Sequence, residues 1–229
     1  MKADTFARLV ILETLVEAEV GYLLEHRPPD AERFREGLVA RVSDLVDEID
    51  ALDAVAAARA YDGIVDFLAG LPDDDEGVVE AAVRFRRSMR RVAERAMDPG
   101  ELALASTWAV VLDDLLGVLA DEYHEAVRPN GEVRPREHRR ALALLARARQ
   151  AAESMQRALP PDARAELGAE MDRLAFAVDA RRLRPVAVDQ LLRAPQRIAR
   201  RHRPSSLTRI GAFVIGQLMR RRPRGAPEA

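Results

Sequence analysis

The sequence predicts an all-α fold: a bundle of long, mostly antiparallel helices, about seven to nine in number, with short connections. Three observations support this prediction. Alanine and leucine dominate the 229 residues while isoleucine, threonine and aromatic residues are scarce, and unbranched side chains lose little rotamer freedom in a helix. Prolines and glycines divide the chain into helix-sized pieces. Several of these pieces also share one apolar spacing.

The helix boundaries follow from the prolines, the glycines and the capping residues. The first helix is predicted from Asp4 to Arg27, and the second from Asp30 to about Ala60, with a kink at Asp62 and Gly63 before a short stretch that ends at Gly70. The remaining predicted helices are 76–97, 98–127, 135–159, 162–184, two short helices divided at Pro195 and Pro204, and 205–222. Residues 223–229 are expected to be disordered.

One start is especially well marked. In Asp98-Pro99-Gly100-Glu101, Asp98 can cap the helix, Pro99 fits its first turn and Glu101 can reach back to complete a capping box. The sequence therefore predicts that a long helix begins here and continues to Val127.

Apolar residues in four predicted helices recur at alternating steps of four and three. This spacing keeps a narrow apolar row on one side of each helix and favours near-antiparallel packing at about 20°. The rows are Leu38, Val42, Leu45, Ile49, Leu52 and Ala56; Val78, Ala82, Phe85, Met89, Val92 and Ala96; Ala141, Leu145, Ala148, Ala152, Met155 and Leu159; and Leu167, Met171, Leu174 and Val178.

The helix predicted over 98–127 is the most apolar, and we expect it to be central. Its broad apolar arc comprises Leu104, Trp108, Val111, Leu112, Leu115, Val118 and Leu119. We predict a single bundle domain over 1–204, with an amphipathic helix over 205–222 docked on the bundle or on a partner.

Composition excludes several classes of protein. Without cysteine there is no disulfide, thiolate nucleophile or cysteine-ligated metal site. No window of about 18 uncharged apolar residues exists, so no transmembrane segment is predicted. Glu13, Glu17 and Glu19 interrupt the first apolar run, which is therefore interpreted as a helix and not a signal peptide. These features suggest a cytoplasmic protein.

Charge is distributed unevenly along the chain although the net charge is only −2. Residues 1–80 carry 20 acidic and 7 basic groups, and residues 181–229 carry 2 acidic and 13 basic groups. This polarity indicates either that the two ends attract each other in the fold or that the basic end has an anionic partner.

One polar face on the helix over 98–127 is a candidate metal site. Asp114, Asp121 and His124 project in the same direction, and oxygen-rich faces of this kind bind hard divalent cations when helices face each other in a bundle. A solvated outer face is the alternative interpretation. Established helical metal enzymes require more: no histidine follows a glutamate by three residues, and Gly117 leaves the motif begun by Asp113-Asp114 incomplete. No catalytic residue and no cofactor is predicted.

Arginines form two further candidate sites. Arg84, Arg87 and Arg91 lie along one side of the helix over 76–97, where they can pair with the acidic helices before it or contact phosphate. The candidates for binding a partner or an anion near the C-terminus are Arg200, Arg201, Arg203, Arg209, Arg220, Arg221 and Arg222. The helix over 205–222 places Leu207, Ile210, Val214, Ile215, Leu218 and Met219 on one apolar arc.

Three functions remain open on this basis. The leading interpretation is a non-enzymatic interaction or adaptor protein that acts through protein–protein contacts or self-association. The second is a protein that binds nucleic acid or an anionic membrane surface through its arginine-rich C-terminal segment. The third is a carboxylate-metal enzyme.

Overall fold

The computed structural model describes residues 2–26, 31–69, 75–179 and 184–204, and these residues form nine helices joined by short connections. The helices are α1 Lys2–His26, α2 Ala31–Leu52, α3 Ala54–Ala69, α4 Asp75–Ala96, α5 Pro99–Leu102, α6 Ala105–Ala126, α7 Pro135–Gln156, α8 Pro161–Asp179 and α9 Pro185–His202. The described residues contain one isolated β-bridge, between Val127 and Val133, and no strand. The predicted all-α bundle is confirmed.

The long helices pack as two rings of four. In the first ring α1 packs on α2, α2 on α3, α3 on α4, and α4 returns to α1; in the second, α6 to α9 repeat the same arrangement. Helix α1 joins the rings by packing on α6 and α7. Because short connections make consecutive helices antiparallel, each ring is an up-and-down four-helix arrangement. The buried apolar residues of both rings form one continuous cluster.

The predicted apolar rows are the buried faces of their helices. All six residues of the row from Ala141 to Leu159, which runs along α7 and just past its end, are buried. The four residues of the α8 row, from Leu167 to Val178, are also buried. The rows of α2 and α4 are buried at Leu38, Val42, Leu45 and Ile49 and at Val78, Phe85, Met89 and Val92.

Two helices share the centre of the molecule. Helix α6 packs on α1, α5, α7 and α9, as expected for the central helix, and Leu112, Leu115 and Leu119 are fully buried. Helix α1 is equally central because it packs on α2, α4, α6 and α7. Leu104 was predicted to belong to the apolar arc, but it is half exposed because it precedes the first turn of α6.

The predicted kink at Asp62 and Gly63 is wrong, since α3 is continuous through both residues. The predicted second helix is interrupted instead at Asp53, between α2 and α3. The Asp53 carboxylate accepts hydrogen bonds from the N–H groups of Val55 (3.1 Å) and Ala56 (3.0 Å) and so caps α3. Gly63 lies close to α4, and a larger residue there would displace the flexible end of the Met89 side chain. A Cβ there would lie 2.8 Å from the Met89 side chain on α4.

Two other boundaries also differ from the prediction. The capping box at Asp98 and Glu101 is present, but it opens the single turn α5, and the long helix α6 starts separately after Leu104. Pro195 does not divide the last described helix, because α9 continues through it to His202. A proline inside a helix removes one backbone hydrogen bond, and here its ring lies on the buried face.

A turn at Pro129-Asn130-Gly131 connects α6 to α7. Gly131 has a φ of +83°, a conformation that glycine adopts without steric cost, and the Asn130 side chain accepts the Glu132 N–H at 3.0 Å. The predicted helix 205–222 and the predicted disordered segment 223–229 lie outside the described residues. Among the residues described, no helix is long and apolar enough to cross a membrane.

Candidate functional site

The basic end of α9 is bound to the first half of α6. Asp113 is 5 % exposed and accepts hydrogen bonds from Arg200 (Nε, 3.0 Å) and Arg203 (Nη1, 2.5 Å). Arg203 also reaches Asp114 at 3.0 Å and lies 3.9 Å from Asp4 on α1. Two of the predicted anion-binding arginines therefore have carboxylate partners within the fold.

The other predicted arginines are placed differently. Arg201 is exposed and forms no hydrogen bond or ion pair with the described residues. Arg209, Arg220, Arg221 and Arg222 lie outside the described part of the chain. Asp113 and Asp114 belong to the middle of the chain and not to its acidic first 80 residues. Among the described residues, the contact between the acidic and basic ends is the approach of Arg203 to Asp4.

The three metal candidates do not converge. Asp114 is largely buried beside Arg203 and 3.9 Å from Arg8. His124 is exposed, and its Nε2 lies 2.9 Å from Asp189 on α9. Asp121 is exposed between them. In the described residues, no group of three or more histidines and carboxylates is arranged to hold a metal ion.

The surroundings of Asp114 shift the pKa of its carboxyl group. Burial raises the pKa of this carboxyl above its ordinary value, and the nearby guanidinium groups of Arg203 and Arg8 lower it again in part. The net direction is upward, because the burial of the carboxyl outweighs the attraction of its cationic neighbours.

A buried ionic cluster centred on Arg140 could not be recognised in the sequence. Arg140 contacts Glu122 at 2.9 Å and Glu19 at 3.3 Å, and both carboxylates are almost fully buried. Arg136 adds a second contact to Glu19 at 2.8 Å. The guanidinium of Arg140 thereby lies between buried carboxylates of α1 and α6.

A groove lies on the side of the bundle where α2 and α9 flank α1 and α6. We call it the acidic groove; its volume is about 710 Å³. Leu15, Leu45, Val118 and Ala120 form its apolar part. Six carboxylates and one histidine complete the lining: Asp44, Glu48, Asp121, Glu122, Glu125, Asp189 and His124.

Only some of the carboxylates in the acidic groove have cationic partners. Glu48 pairs with Arg8 at 2.8 Å, Glu122 with Arg140, and Asp189 with His124. Asp44 and Asp121 form no ion pair with the side chains that the structure describes. A concave surface with an apolar floor and excess negative charge can bind a basic amphipathic segment.

The arginines of α4 have two kinds of surroundings. Arg86, which lies beside the predicted row of arginines, pairs with Glu17 on α1. Arg84, Arg87 and Arg91 instead line a cleft of about 480 Å³ against α3, together with Asp66 and Ser88. Phe67 and Phe85 border this cleft, but both rings are buried in the core and cannot stack on a base.

Sequence reasoning identified Asp121 and His124 as neighbours on one polar face, and the structure places both in the acidic groove. It did not find Asp44, Glu48 and Asp189, because these residues come from α2 and α9. Only the packing of helices distant in sequence brings them together. No protein-family model, curated protein or solved structure matches this chain.

Proposed function

We propose that this chain is a non-enzymatic helical interaction protein, and that the acidic groove receives a basic amphipathic segment of a protein partner. The observation that supports this proposal is the groove itself. Its apolar floor offers Val118 and Ala120, both only partly buried, and its rim carries Asp44 and Asp121 without ion-pair partners among the described side chains. A basic helix would bury apolar surface on the floor while its cations meet the carboxylates.

The geometry favours this function over chemistry at the same place. An enzyme of the carboxylate-metal class needs carboxylates free to ligate a cation. In the bundle interior, Arg140 already neutralises Glu19 and Glu122, and on the surface His124 is directed at Asp189. These contacts use the donor groups that a metal would require.

Binding of an anionic polymer or membrane through the C-terminal arginines remains the second candidate. Arg200 and Arg203 each hold Asp113 inside the fold, so their release for phosphate would leave a buried carboxylate without a cation. That loss opposes anion binding by these two residues. Arg201, exposed on α9, is the described arginine that best retains this possibility.

The proposal is tested by photocrosslinking in the cells that make the protein. A photoreactive amino acid replaces Asp121 at the rim of the acidic groove, and a matched control variant carries it at Glu153, an exposed position on α7 outside the groove. We expect a discrete adduct with a second protein from position 121, joined through a basic peptide of that protein. Position 153 should give no such adduct.

The chemical nature of the adduct decides between the candidates. An adduct with nucleic acid or lipid would promote the second candidate, and the absence of any protein adduct specific to position 121 would overturn the proposal. Adding salt in a parallel lysate experiment supplies a further check, because contacts between exposed charges weaken as ionic strength rises.

A further inference from the structure

We infer that the acidic groove is covered, when no partner is bound, by the chain's own basic segment 205–224. This inference rests on the proposed function, because it makes the chain's own segment a competitor of the partner. The segment carries Arg209, Arg220, Arg221, Arg222 and Arg224, and residues 205–224 contain no acidic residue. The groove is lined by six carboxylates. The two surfaces are therefore complementary in charge.

The direction of the neighbouring helices favours this location. Helix α1 runs parallel to α6, since Phe6 stacks edge-on against Trp108 at 5.8 Å and Arg8 lies near Asp114. The two flanking helices run the opposite way: Glu48 of α2 pairs with Arg8, and α9 places Asp189 beside His124 and Arg200 beside Asp113. A segment that reverses direction after α9 would lie antiparallel to both flanking helices, continuing the up-and-down order.

The chain leaves α9 near the end of the acidic groove that contains Glu48. Arg203 fixes that end against Asp113 and Asp114, so residue 204 is held beside the first half of α6. The acidic groove begins there, near Glu48, and extends toward Glu125. No long connection is needed to enter it.

The spacing of the arginines fits the spacing of the carboxylates. Arg209 and Arg220 are eleven residues apart in the sequence, the same separation as Asp114 and Glu125 of α6. Parallel helices rise equally, about 1.5 Å per residue, so the two pairs would span equal lengths. The arc from Ile210 to Met219 would face Leu15, Leu45 and Val118 between these two charged ends.

The experiment uses the purified full chain at high dilution, with the photoreactive residue at Asp121 and, as the matched control, at Glu153. Illumination followed by proteolysis and mass spectrometry maps the crosslinked peptides. We expect an intrachain crosslink from position 121 to residues 207–219 whose yield does not change with protein concentration. Position 153 should give no crosslink to this segment.

Two sets of substitutions make the result specific. Changing Arg220, Arg221 and Arg222 together to Glu should abolish the crosslink. Asp189→Arg together with Glu125→Arg, at the end of the acidic groove near His124, should restore it by exchanging the charges. Ile210→Ser with Val214→Ser should also abolish it. Circular dichroism of every variant verifies that the bundle remains helical.

Three outcomes would overturn the inference: no crosslink to 207–219, a crosslink that survives the arginine changes, or a crosslink found only in dimers whose yield rises with concentration. The last would assign the occupant to a second copy. An intrachain crosslink without any protein adduct in cells would contradict the proposed function alone, whereas a cellular adduct without the intrachain crosslink would contradict only this inference.

Discussion

At the scale of single residues, the ionisable groups inside the bundle are held in pairs and clusters across helices. Glu19, Glu122 and Arg140 are all buried, and each comes from a different helix. A charge removed from water is tolerated when an opposite charge and hydrogen bonds replace the solvent. These residues therefore tie α1, α6 and α7 to one arrangement, which nonpolar packing alone would specify less strictly.

Removal of the cation from this cluster should be costly. Arg140→Met leaves the carboxylates of Glu19 and Glu122 buried, with Arg136 still close to Glu19, so we expect a loss of about 3–5 kcal/mol in the free energy of unfolding. Denaturant unfolding measures it. The matched control is Arg149→Met, which breaks the exposed 3.2 Å pair with Asp172 and should cost less than about 1 kcal/mol. Equal losses in the two variants would show that the cluster is not important for stability.

Glu13 supplies a pH-dependent test. Burial raises the pKa of its carboxyl above the ordinary 4.5, and Arg147, at 3.3 Å, offsets this only in part. A carboxyl whose pKa is higher in the folded state lowers stability progressively as the pH rises from the unfolded-state pKa to the folded-state pKa. The loss is complete above the folded-state pKa, and it is absent where both states are protonated.

We therefore expect Glu13→Gln to be more stable than the parent chain at pH 7. The difference should shrink as the pH falls through the raised pKa and vanish below about pH 4, where the unfolded carboxyl is also protonated. Unfolding curves across this range measure the effect. Glu153→Gln, at an exposed site on α7, is the control and should change little. A variant less stable at pH 7 would mean that the Arg147 contact outweighs the burial of Glu13.

At the scale of helices, the sequence predicted the buried faces better than the boundaries. Apolar side chains at four-three spacing have few alternatives to burial, so the predicted rows of α7 and α8 are buried throughout. The row of α4 is buried except at Ala82 and Ala96, which are partly exposed. The break at Asp53 was missed because the apolar row continues across it from Ile49 to Ala56, and one aspartate in a run of several gives no local sign that it caps a helix. The prediction of a kink at Gly63 failed because the glycine's closeness to Met89, in another helix, leaves no sign in the local sequence.

For the same reason, only part of the acidic groove could be predicted from the sequence. Asp121 and His124 lie on one helix, and their shared face is visible in the sequence. Their neighbours Asp44 and Asp189 belong to helices far away in sequence, and only knowledge of which helices pack together places them in one groove. Arg140 was overlooked because an arginine near the start of a helix is usually solvated.

Helix α6 provides the stability test at this scale. Leu115 is fully buried at the centre of the bundle, so Leu115→Ala should cost about 2–5 kcal/mol through lost burial and the cavity left behind. Leu104→Ala makes the same chemical change at a half-exposed position and should alter stability by no more than about 0.5 kcal/mol. Thermal or denaturant unfolding compares the two. A near-neutral Leu115→Ala would contradict the central position of α6.

At the scale of the whole molecule, ion pairs join the end of the last described helix to distant parts of the fold. Arg203, at the end of α9, joins Asp113 and Asp114 of α6 and approaches Asp4 of α1. Because Asp113 is nearly inaccessible to water, this contact is shielded from salt better than a surface pair. It fixes the end of α9, and with it the point from which residues 205–224 would enter the acidic groove.

Arg203→Ala should therefore loosen α9 selectively. The variant leaves Asp113 with Arg200 alone, whose side chain is mostly exposed, and we expect a loss of about 1–3 kcal/mol in the stability of this region. Hydrogen exchange measures it by segment: amides of α9 around Leu192 and Ile198 should exchange about ten times faster for each 1.4 kcal/mol lost, while those of α7 around Leu144 should change less. Arg201→Ala, the control, removes an exposed arginine two residues away and should leave hydrogen exchange in both helices unchanged.

Two results would contradict the prediction. Uniform acceleration of exchange across α7 and α9 would show that Arg203 supports the whole bundle, and no acceleration would show that Arg200 alone satisfies Asp113.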